Sequence, residues 1–264
     1  MSQATSFWLP AATLWQRELV RFFRQRSRVA GALASPLVFW VVIGSGFGRS
    51  FRPPAAAEGV GYLEYFFPGT VVLVLLFAAI FSTISIIEDR SQGFLQSVLA
   101  APITRASLVL GKVLGGATVA FVQGLLLLLL APLLSIHLSV PSVAGLTLIL
   151  FTLAFALTSL GFLIAWHMES TQGFHAIMNL FLIPMWLLSG ALFPASGAAG
   201  WIRAAMAINP LSYGLAAVRQ LIDPAAGNGG PSFAVAVSIS LGFAVVLYAA
   251  AALSARRTRA GGGP

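Results

Sequence analysis

The histidines are the first candidates for chemistry in this chain, and they stand at His137, His167 and His175. His167 and His175 flank Glu169 in a short polar link, where imidazole and carboxylate groups could in principle hold a metal ion. Their spacing matches no metal-binding motif. We therefore expect no metal site and no resident cofactor.

Ser189-Gly190, near the end of a long apolar stretch, is a candidate nucleophile for an intramembrane serine protease. The Gly-x-Ser-Gly arrangement of those enzymes needs glycine where Leu187 stands. It also needs a general base, and the last apolar stretch contains no histidine. Protease chemistry is therefore excluded.

Gly111-Lys112 superficially resembles the end of a phosphate-binding loop. That motif needs glycine at Ala106 and a hydroxyl residue at Val113. The chain therefore does not bind ATP in this way, and we expect it not to be an enzyme. If it takes part in energised transport, another polypeptide supplies the energy.

Six long apolar stretches surround these residues and fill most of the chain. The composition is 58% hydrophobic and 8% charged, against about 25% charged in soluble domains. Each stretch approaches or exceeds the roughly 20 residues that a helix needs to cross a bilayer, and is far longer than a barrel strand. The sequence predicts an all-α polytopic membrane protein with six transmembrane helices at 30–48, 66–87, 108–134, 143–166, 174–193 and 233–253.

The basic residues are sorted by side, although the net charge of +8 alone would suggest nucleic acid. If alternate links are cytoplasmic, most of the basic residues fall on one side and few on the other. This bias predicts a cell-membrane protein with both termini in the cytoplasm, in contact with membrane lipid and not with nucleic acid. The basic side carries Arg17, Arg21, Arg24, Arg26, Arg28, Arg90, Arg105, Lys112, Arg256, Arg257 and Arg259, and the other carries Arg49, Arg52, Arg203 and Arg219.

Residues 11–28 are predicted to form an amphipathic helix, because Trp15, Leu19 and Phe22 recur at near-helical spacing among basic residues. Such a helix lies at the membrane interface. It either anchors the chain to lipid or also forms a platform for a cytoplasmic partner. The polar residues proposed for such docking are Arg17, Glu18, Arg21 and Arg24.

Residues 88–102 follow the second apolar stretch and begin with polar residues. Phe94, Leu95, Val98 and Leu99 then fall on one face before Pro102 ends the pattern. This predicts a short amphipathic helix in the cytoplasm.

Residues 194–222 are predicted to form two short helices joined at Asn209-Pro210, an N-cap residue followed by proline at the first helical position. A crossing would place Arg203 and Arg219 in or near hydrocarbon, at about 2.5–3.5 kcal/mol each at the centre. We therefore expect a re-entrant pair in the outer leaflet, with both arginines near headgroups and Trp201 buried against the bundle.

The predicted spans contain almost no ionisable residues, which disfavours a proton or sodium carrier. Lys112 lies near a cytoplasmic end and is expected to snorkel to the interface. Gln123 and Asn179 are expected to form interhelical hydrogen bonds. Gly111-x-x-x-Gly115 allows close helix approach, either within the bundle or at a dimer seam.

The order of these parts resembles the permease subunits of type-2 ATP-binding-cassette transporters, the daunorubicin-resistance and polysaccharide or lipid exporter group. The similarity extends over essentially the whole chain. The pieces that carry it are Phe67-Pro68-Gly69, Glu88-Asp89-Arg90 through Leu99-Ala100-Ala101-Pro102, and Gly190-x-x-Phe193-Pro194 followed by Asn209-Pro210-Leu211-Ser212-Tyr213.

The resemblance implies two permease subunits, identical or similar, that associate with two cytoplasmic ATPase subunits carrying ATP and Mg²⁺. Residues 88–102 would then be a coupling helix in a groove of the ATPase, and the N-terminal helix would form part of the same docking surface. Gln92 and Gln96 stand where family members often carry glutamate, which leaves the docking to the apolar face. The coupling residues implied are Glu88, Arg90, Gly93, Phe94, Leu95, Val98 and Leu99, and the outer gate residues are Phe193, Pro194, Trp201, Asn209, Pro210 and Tyr213.

Two functions follow from the sequence. The first is the permease subunit of an ATP-driven exporter. The alternative is a secondary carrier or passive membrane scaffold that has no ATPase. The transported substrate is not indicated.

Overall fold

A computed structural model describes residues 7–24, 26–47, 61–223 and 230–257, which form helices and connecting turns with no β-strand among them. The predicted all-α class is confirmed. The α-helices are α1 (Trp8–Arg24), α2 (Arg26–Phe47), α3 (Tyr62–Ser82), α4 (Ile84–Ser91), α5 (Phe94–Ala100), α6 (Arg105–Leu128), α7 (Val140–Ala165), α8 (Thr171–Leu187), α9 (Gly200–Ile208), α10 (Pro210–Ile222) and α11 (Phe233–Arg257).

Helix α3 forms the centre of the bundle. Its side chains are apolar on every face, and Phe66, Val71, Leu75 and Ile80 are fully buried. Helices α2, α6, α7 and α10 pack around it. The outer helices therefore contact lipid, and one of them, α11, exposes Val245.

Four helical segments are long and apolar enough to cross a bilayer: Tyr62–Ser91, Arg105–Leu128, Val140–Ala165 and Phe233–Arg256. The predicted count of six spans depends on two further helices. Helix α2 has 22 residues, and α8 has 17. At 1.5 Å per residue α8 reaches about 26 Å, which is near the lower limit for a span.

The predicted third span, 108–134, has different bounds in the structure. Helix α6 begins earlier, at Arg105, because the Thr104 side chain caps it by accepting a hydrogen bond from Ser107 N. It ends at Leu128, and Pro132 lies in a separate short 3₁₀ helix, Ala131–Leu134. Proline lacks the N–H that would continue an α-helix.

The predicted single helix over 88–102 is wrong, because two helices occupy this range. Helix α4 continues the direction of α3 and ends at Ser91, and α5 begins at Phe94. Between them Gly93 has φ 75°, in the left-handed region that glycine adopts most readily. The predicted helix over 11–28 likewise ends earlier, since α1 stops at Arg24. Most of the link between the first two predicted spans, residues 49–65, lies outside the described residues, and its last residues belong to α3.

Candidate coupling site at the basic end of the bundle

Helix α1 packs along α6, where two glycines allow the backbones to approach. A Cβ atom at Gly111 would lie 2.6 Å from the carbonyl oxygen of Ala11, and one at Gly115 would lie 2.6 Å from Cβ of Glu18. Larger residues would separate the helices. The Gly111-x-x-x-Gly115 motif thus serves packing inside the chain, and α1 is part of the bundle as well as amphipathic, with Trp8 exposed.

Asp89 lies at the centre of an ion-pair cluster that joins α1, α4 and α6. Its side chain is completely buried. Arg17 donates two hydrogen bonds to its carboxylate, at 2.9 and 2.8 Å, and Arg21 donates one at 2.9 Å. Lys112 forms a further ion pair with Asp89. Arg21 also pairs with Glu88 at 2.5 Å.

Lys112 does not snorkel to the interface, so that prediction is wrong. Its side chain is 3% exposed, because α1 covers this part of α6. Its Nζ atom lies 2.6 Å from Oε1 of Glu18 and 3.5 Å from Oγ of Ser85. The amino group of Lys112 is therefore buried next to carboxylate partners, which offset the cost of its burial.

The formal charges of the ion-pair cluster balance, since it contains three cations and three carboxylates. Its members are Arg17, Glu18, Arg21, Glu88, Asp89 and Lys112. The hydrogen bond to Asp89 raises the pKa of the Arg17 guanidinium above its usual value, against an opposing effect of burial. A buried cluster of this kind holds together while every partner is present, and loss of one partner leaves an uncompensated charge. The cluster therefore ties the three helices together as a rigid joint.

The apolar face of α5 points into this subunit, which differs from the expected contact with a partner. Leu95 is 4% exposed and belongs to the hydrophobic core, and Val98 and Leu99 pack against that core. The Phe94 ring lies 3.7 Å beneath the Arg17 guanidinium. The exposed residues of the α4–α5 segment are Ser91, Gln92, Gln96, Ser97 and Ala100.

Arg90 connects the same segment to the C-terminal end of α7. Its guanidinium donates hydrogen bonds to the carbonyl oxygens of Met168 at 2.8 Å and Trp166 at 2.5 Å. Next to this contact, His167 Nε2 lies 3.0 Å from Oγ of Ser254 in α11. Sequence reasoning placed Arg90 in the coupling segment but gave it no partner.

The predicted gate residues lie at the opposite end of the bundle, on the α8–α10 segment. Asn209 caps α10 by accepting a hydrogen bond from Leu211 N, as expected. The predicted burial of Trp201 is wrong, since this side chain is 71% exposed while Met206 is buried. The Arg219 side chain turns inward to the end of α8, where its guanidinium donates a hydrogen bond to Gly190 O at 2.7 Å.

The gate segment has further contacts. Tyr213 donates a hydrogen bond from its hydroxyl to Ala207 O at 2.9 Å, within its own helical pair. Phe193, Pro194 and Pro210 are partly exposed. These residues therefore shape the turns between α8, α9 and α10.

No group of three histidine, aspartate or glutamate side chains able to hold a metal ion occurs within residues 7–24, 26–47, 61–223 and 230–257. His175 instead contacts the ring of Phe81 at 5.0 Å between ring centres. The charged side chains at the basic end form ion pairs, in a bundle whose helices suit a membrane.

Comparison with known proteins decides the family. The sequence pattern of the ABC-2 type transporter family matches residues 11–222. The chain belongs to this family. It is therefore a transport permease of an ABC transporter and a multi-pass membrane protein, and such permeases work with an ATP-binding partner subunit.

Individual relatives resemble this ABC-2 permease along most of their length. A putative transport permease, ycf38, from Cyanophora paradoxa is 25% identical over 83% of this chain and 77% of its own. Nodulation protein J of Rhizobium meliloti is 28% identical over 79% of each chain. The probable doxorubicin resistance ABC transporter permease protein DrrC of Mycobacterium tuberculosis is 27% identical over 94% of this chain and 89% of its own.

Asp89 and Lys112 are the members of the ion-pair cluster whose partners sequence reasoning missed. A single lysine in an otherwise apolar helix was the available indication, because such a charge needs a partner. Glu18 and Asp89 are carboxylates on neighbouring helices, but their separation of 71 positions in the sequence hides their proximity.

Proposed function

We propose that this permease is one subunit of an ATP-driven exporter and takes its energy from a separate cytoplasmic ATPase. The observation that carries the proposal is the ion-pair cluster, which joins the α4–α5 segment to α1 and α6 at the basic end. The name of the doxorubicin resistance relative supports export. In this proposal ATP and Mg²⁺ bind the partner, and the permease contributes no cofactor site.

The ATPase docks on the outward face of the α4–α5 segment, around Gln92, Gln96 and Ser97. These side chains are exposed, whereas the apolar side chains of α5 are held in the core. The apolar side chains thus fix the position of α5 instead of filling a groove of the ATPase. This arrangement replaces the docking contact expected from the sequence.

Movement of α5 reaches the membrane helices through short, stiff contacts. Phe94 lies against Arg17, and Arg17 is held by Asp89 through two hydrogen bonds. Asp89 is paired in turn with Lys112 of α6. Because packed cores and ion pairs resist deformation, a push on α5 displaces α1 and α6 together.

The topology that fits this function has the basic end in the cytoplasm. Six spans are formed by α2, α3 with α4, α6, α7, α8 and α11, with both termini cytoplasmic. Helices α9 and α10 have 9 and 13 residues and reach about 14 and 20 Å, too short to cross a core of about 30 Å. They form the re-entrant pair of the outer leaflet, and a second permease subunit completes the pathway in the cell membrane.

The test is copurification of the tagged permease from native membranes, with identification of bound ATP-binding proteins. Gln96→Trp places a large side chain on the exposed face of α5 and should remove the ATPase while the permease still inserts. The matched control is His137→Trp, at an exposed position between α6 and α7, which should retain the ATPase. Equal ATPase recovery from both variants would contradict the docking face. Recovery of no ATPase even by the wild type would favour a secondary carrier or passive scaffold.

A further inference from the structure

The C-terminal end of α8 is fastened by side chains of two other segments, the α9–α10 pair and α3. The chain leaves the helix after Leu187 and turns at Gly190, which has φ 88°. The last carbonyl groups of a helix have no partner within the helix. At this end of α8 those groups, and the carbonyls of the following turn, accept hydrogen bonds from elsewhere in the protein.

The α9–α10 pair supplies one set of donors. Asn209 Nδ2 donates to the carbonyl oxygen of Met185 at 2.6 Å, and Ser212 Oγ donates to that of Leu188 at 3.2 Å. Arg219 Nη2 donates to Gly190 O at 2.7 Å and lies 3.3 Å from Ala191 O. Helix α10 is thereby attached to α8 at both of its ends.

Helix α3 supplies the second set of contacts to the same turn. The Tyr62 hydroxyl donates to Leu192 O at 3.0 Å, and Trp186 Nε1 donates to Gly69 O at 2.8 Å. A Cβ atom at Gly69 would lie 2.9 Å from that of Ala191. The turn after α8 is therefore held between α3 and α10.

Arg219 differs from the other donors because it brings a charge. No ion pair involves Arg219 within the described part of the chain. Its guanidinium lies 4.4 Å from the ring centre of Tyr65. The carbonyls at a helix C-terminus are partially negative, and the face of an aromatic ring attracts a cation. Among the described residues, the partners that stabilise this charge come from the end of α8 and from α3, so separation of α10 from them would remove both.

We propose that Arg219 is a positioning residue that locks α10 to the end of α8 and to α3, so that these segments move as one unit. In the transport cycle this unit would open and close the end of the bundle that lies opposite the ATPase, and this consequence rests on the proposed function. The link between α10, α8 and α3 does not depend on the proposed function, and it is tested without an ATPase or a substrate.

The chain has no cysteine, so a single introduced thiol reports the opening of α10. Val218→Cys places this thiol at a fully buried position beside Arg219. In purified protein it should react slowly with a maleimide. Arg219→Gln in the same background should raise the labelling rate about 10- to 100-fold, since hydrogen bonds to a charged group are lost and labelling reports the open population.

Arg203→Gln is the matched control, because Arg203 lies in the same segment, is exposed and has the same charge. It should leave the labelling rate unchanged. Arg219→Lys keeps the charge but not the planar set of donors, so it should give an intermediate rate. This variant also provides the test if Arg219→Gln does not fold.

The proposal would be overturned if Arg219→Gln labels at the same rate as the Val218→Cys protein that keeps Arg219. If only Arg219→Lys folds, the same comparison is made with that variant. An equal rise in Arg203→Gln would also overturn the proposal. A separate thiol at the opposite end, Leu14→Cys, lies on the buried face of α1 and should stay slow in every variant. A rise there as well would show general unfolding and would contradict a local lock. If Arg219 behaves as stated while no ATPase copurifies, the lock stands and the exporter assignment fails.

Discussion

Asp89→Asn is the change that most directly perturbs the ion-pair cluster. Asparagine keeps the size of the side chain but removes the negative charge that holds three cations. One carboxylate oxygen accepts from Arg17 and Arg21, and the other accepts from Arg17 and pairs with Lys112. Asparagine keeps a single acceptor oxygen, so the contacts of one oxygen are lost and those of the other lose their charge. The amide NH₂ group of asparagine, a donor, would also replace a carboxylate oxygen that accepts hydrogen bonds, and would face the donor groups of its neighbours.

The magnitude follows from the burial of each partner. Removing one side of a buried ion pair costs about 3–5 kcal/mol. The side chains of Arg17 and Arg21 are 31% and 19% exposed, so water compensates part of their loss. Lys112 keeps Glu18. We therefore expect Asp89→Asn to lower the free energy of unfolding by about 3 kcal/mol, at the lower end of that range.

The assay is reversible unfolding in mixed micelles with an increasing fraction of SDS, followed by tryptophan fluorescence. Glu169→Gln is the matched control, because Glu169 is exposed and its change should stay within about 0.5 kcal/mol. If Asp89→Asn also falls within that limit, the cluster does not hold α1, α4 and α6 together and the proposed joint is refuted.

Three further predictions follow from neighbouring contacts. Lys112→Met should leave the Glu18 carboxylate buried without its nearer cation, with the Arg17 guanidinium at 3.3 Å. The double variant Glu18→Gln/Lys112→Met should therefore unfold at a higher SDS fraction than Lys112→Met alone; a double variant less stable than Lys112→Met would contradict the pairing. Gly111→Val should separate α1 from α6, because even a Cβ atom there would lie 2.6 Å from Ala11 O. The control is Gly242→Ala, whose Cβ atom would meet nothing within 4 Å. The separation would appear as faster maleimide labelling of Leu14→Cys in the Gly111→Val background, and equal rates in the two backgrounds would argue against it. In intact cells an impermeant thiol reagent should label Ala198→Cys but not Ser91→Cys, and the reverse pattern would invert the proposed topology.

The helices of the bundle were largely predictable from the sequence, because a bilayer demands long apolar segments. The interior of α3, from Phe66 to Ile80, is an example in which composition alone predicts burial. The positions at which the helices begin and end were less predictable. The end of α6 at Leu128 depends on Pro132 four positions later, within a stretch that remains apolar.

The coupling segment shows why local pattern misleads at an interface. Phe94, Leu95 and their apolar neighbours on α5 were correctly recognised as one face of a short helix. The sequence does not say whether such a face meets a partner or its own bundle, because hydrophobic burial has no direction. The structure places Leu95 in the core, so Leu95→Asp would destabilise the subunit itself and would not report on docking.

The candidate site was the hardest part to predict because its residues come from distant segments. Glu18, Asp89 and Lys112 meet only after α1 packs on Gly111 and Gly115 of α6. Charge sorting by side identified the basic end but not the carboxylates that balance it. The partners of Arg219 were missed for a related reason, since backbone carbonyls at a helix end leave no mark in the sequence.

Photocrosslinking tests most directly whether a separate ATPase drives this permease through the α4–α5 segment. A photoreactive amino acid in place of Gln96 lies on the exposed face of α5, and one in place of His137 lies in the link between α6 and α7. Irradiation of native membranes should link the permease to a cytoplasmic ATP-binding subunit from the first position and not from the second. An ATPase adduct from the His137 position, or none from the Gln96 position, would contradict the account.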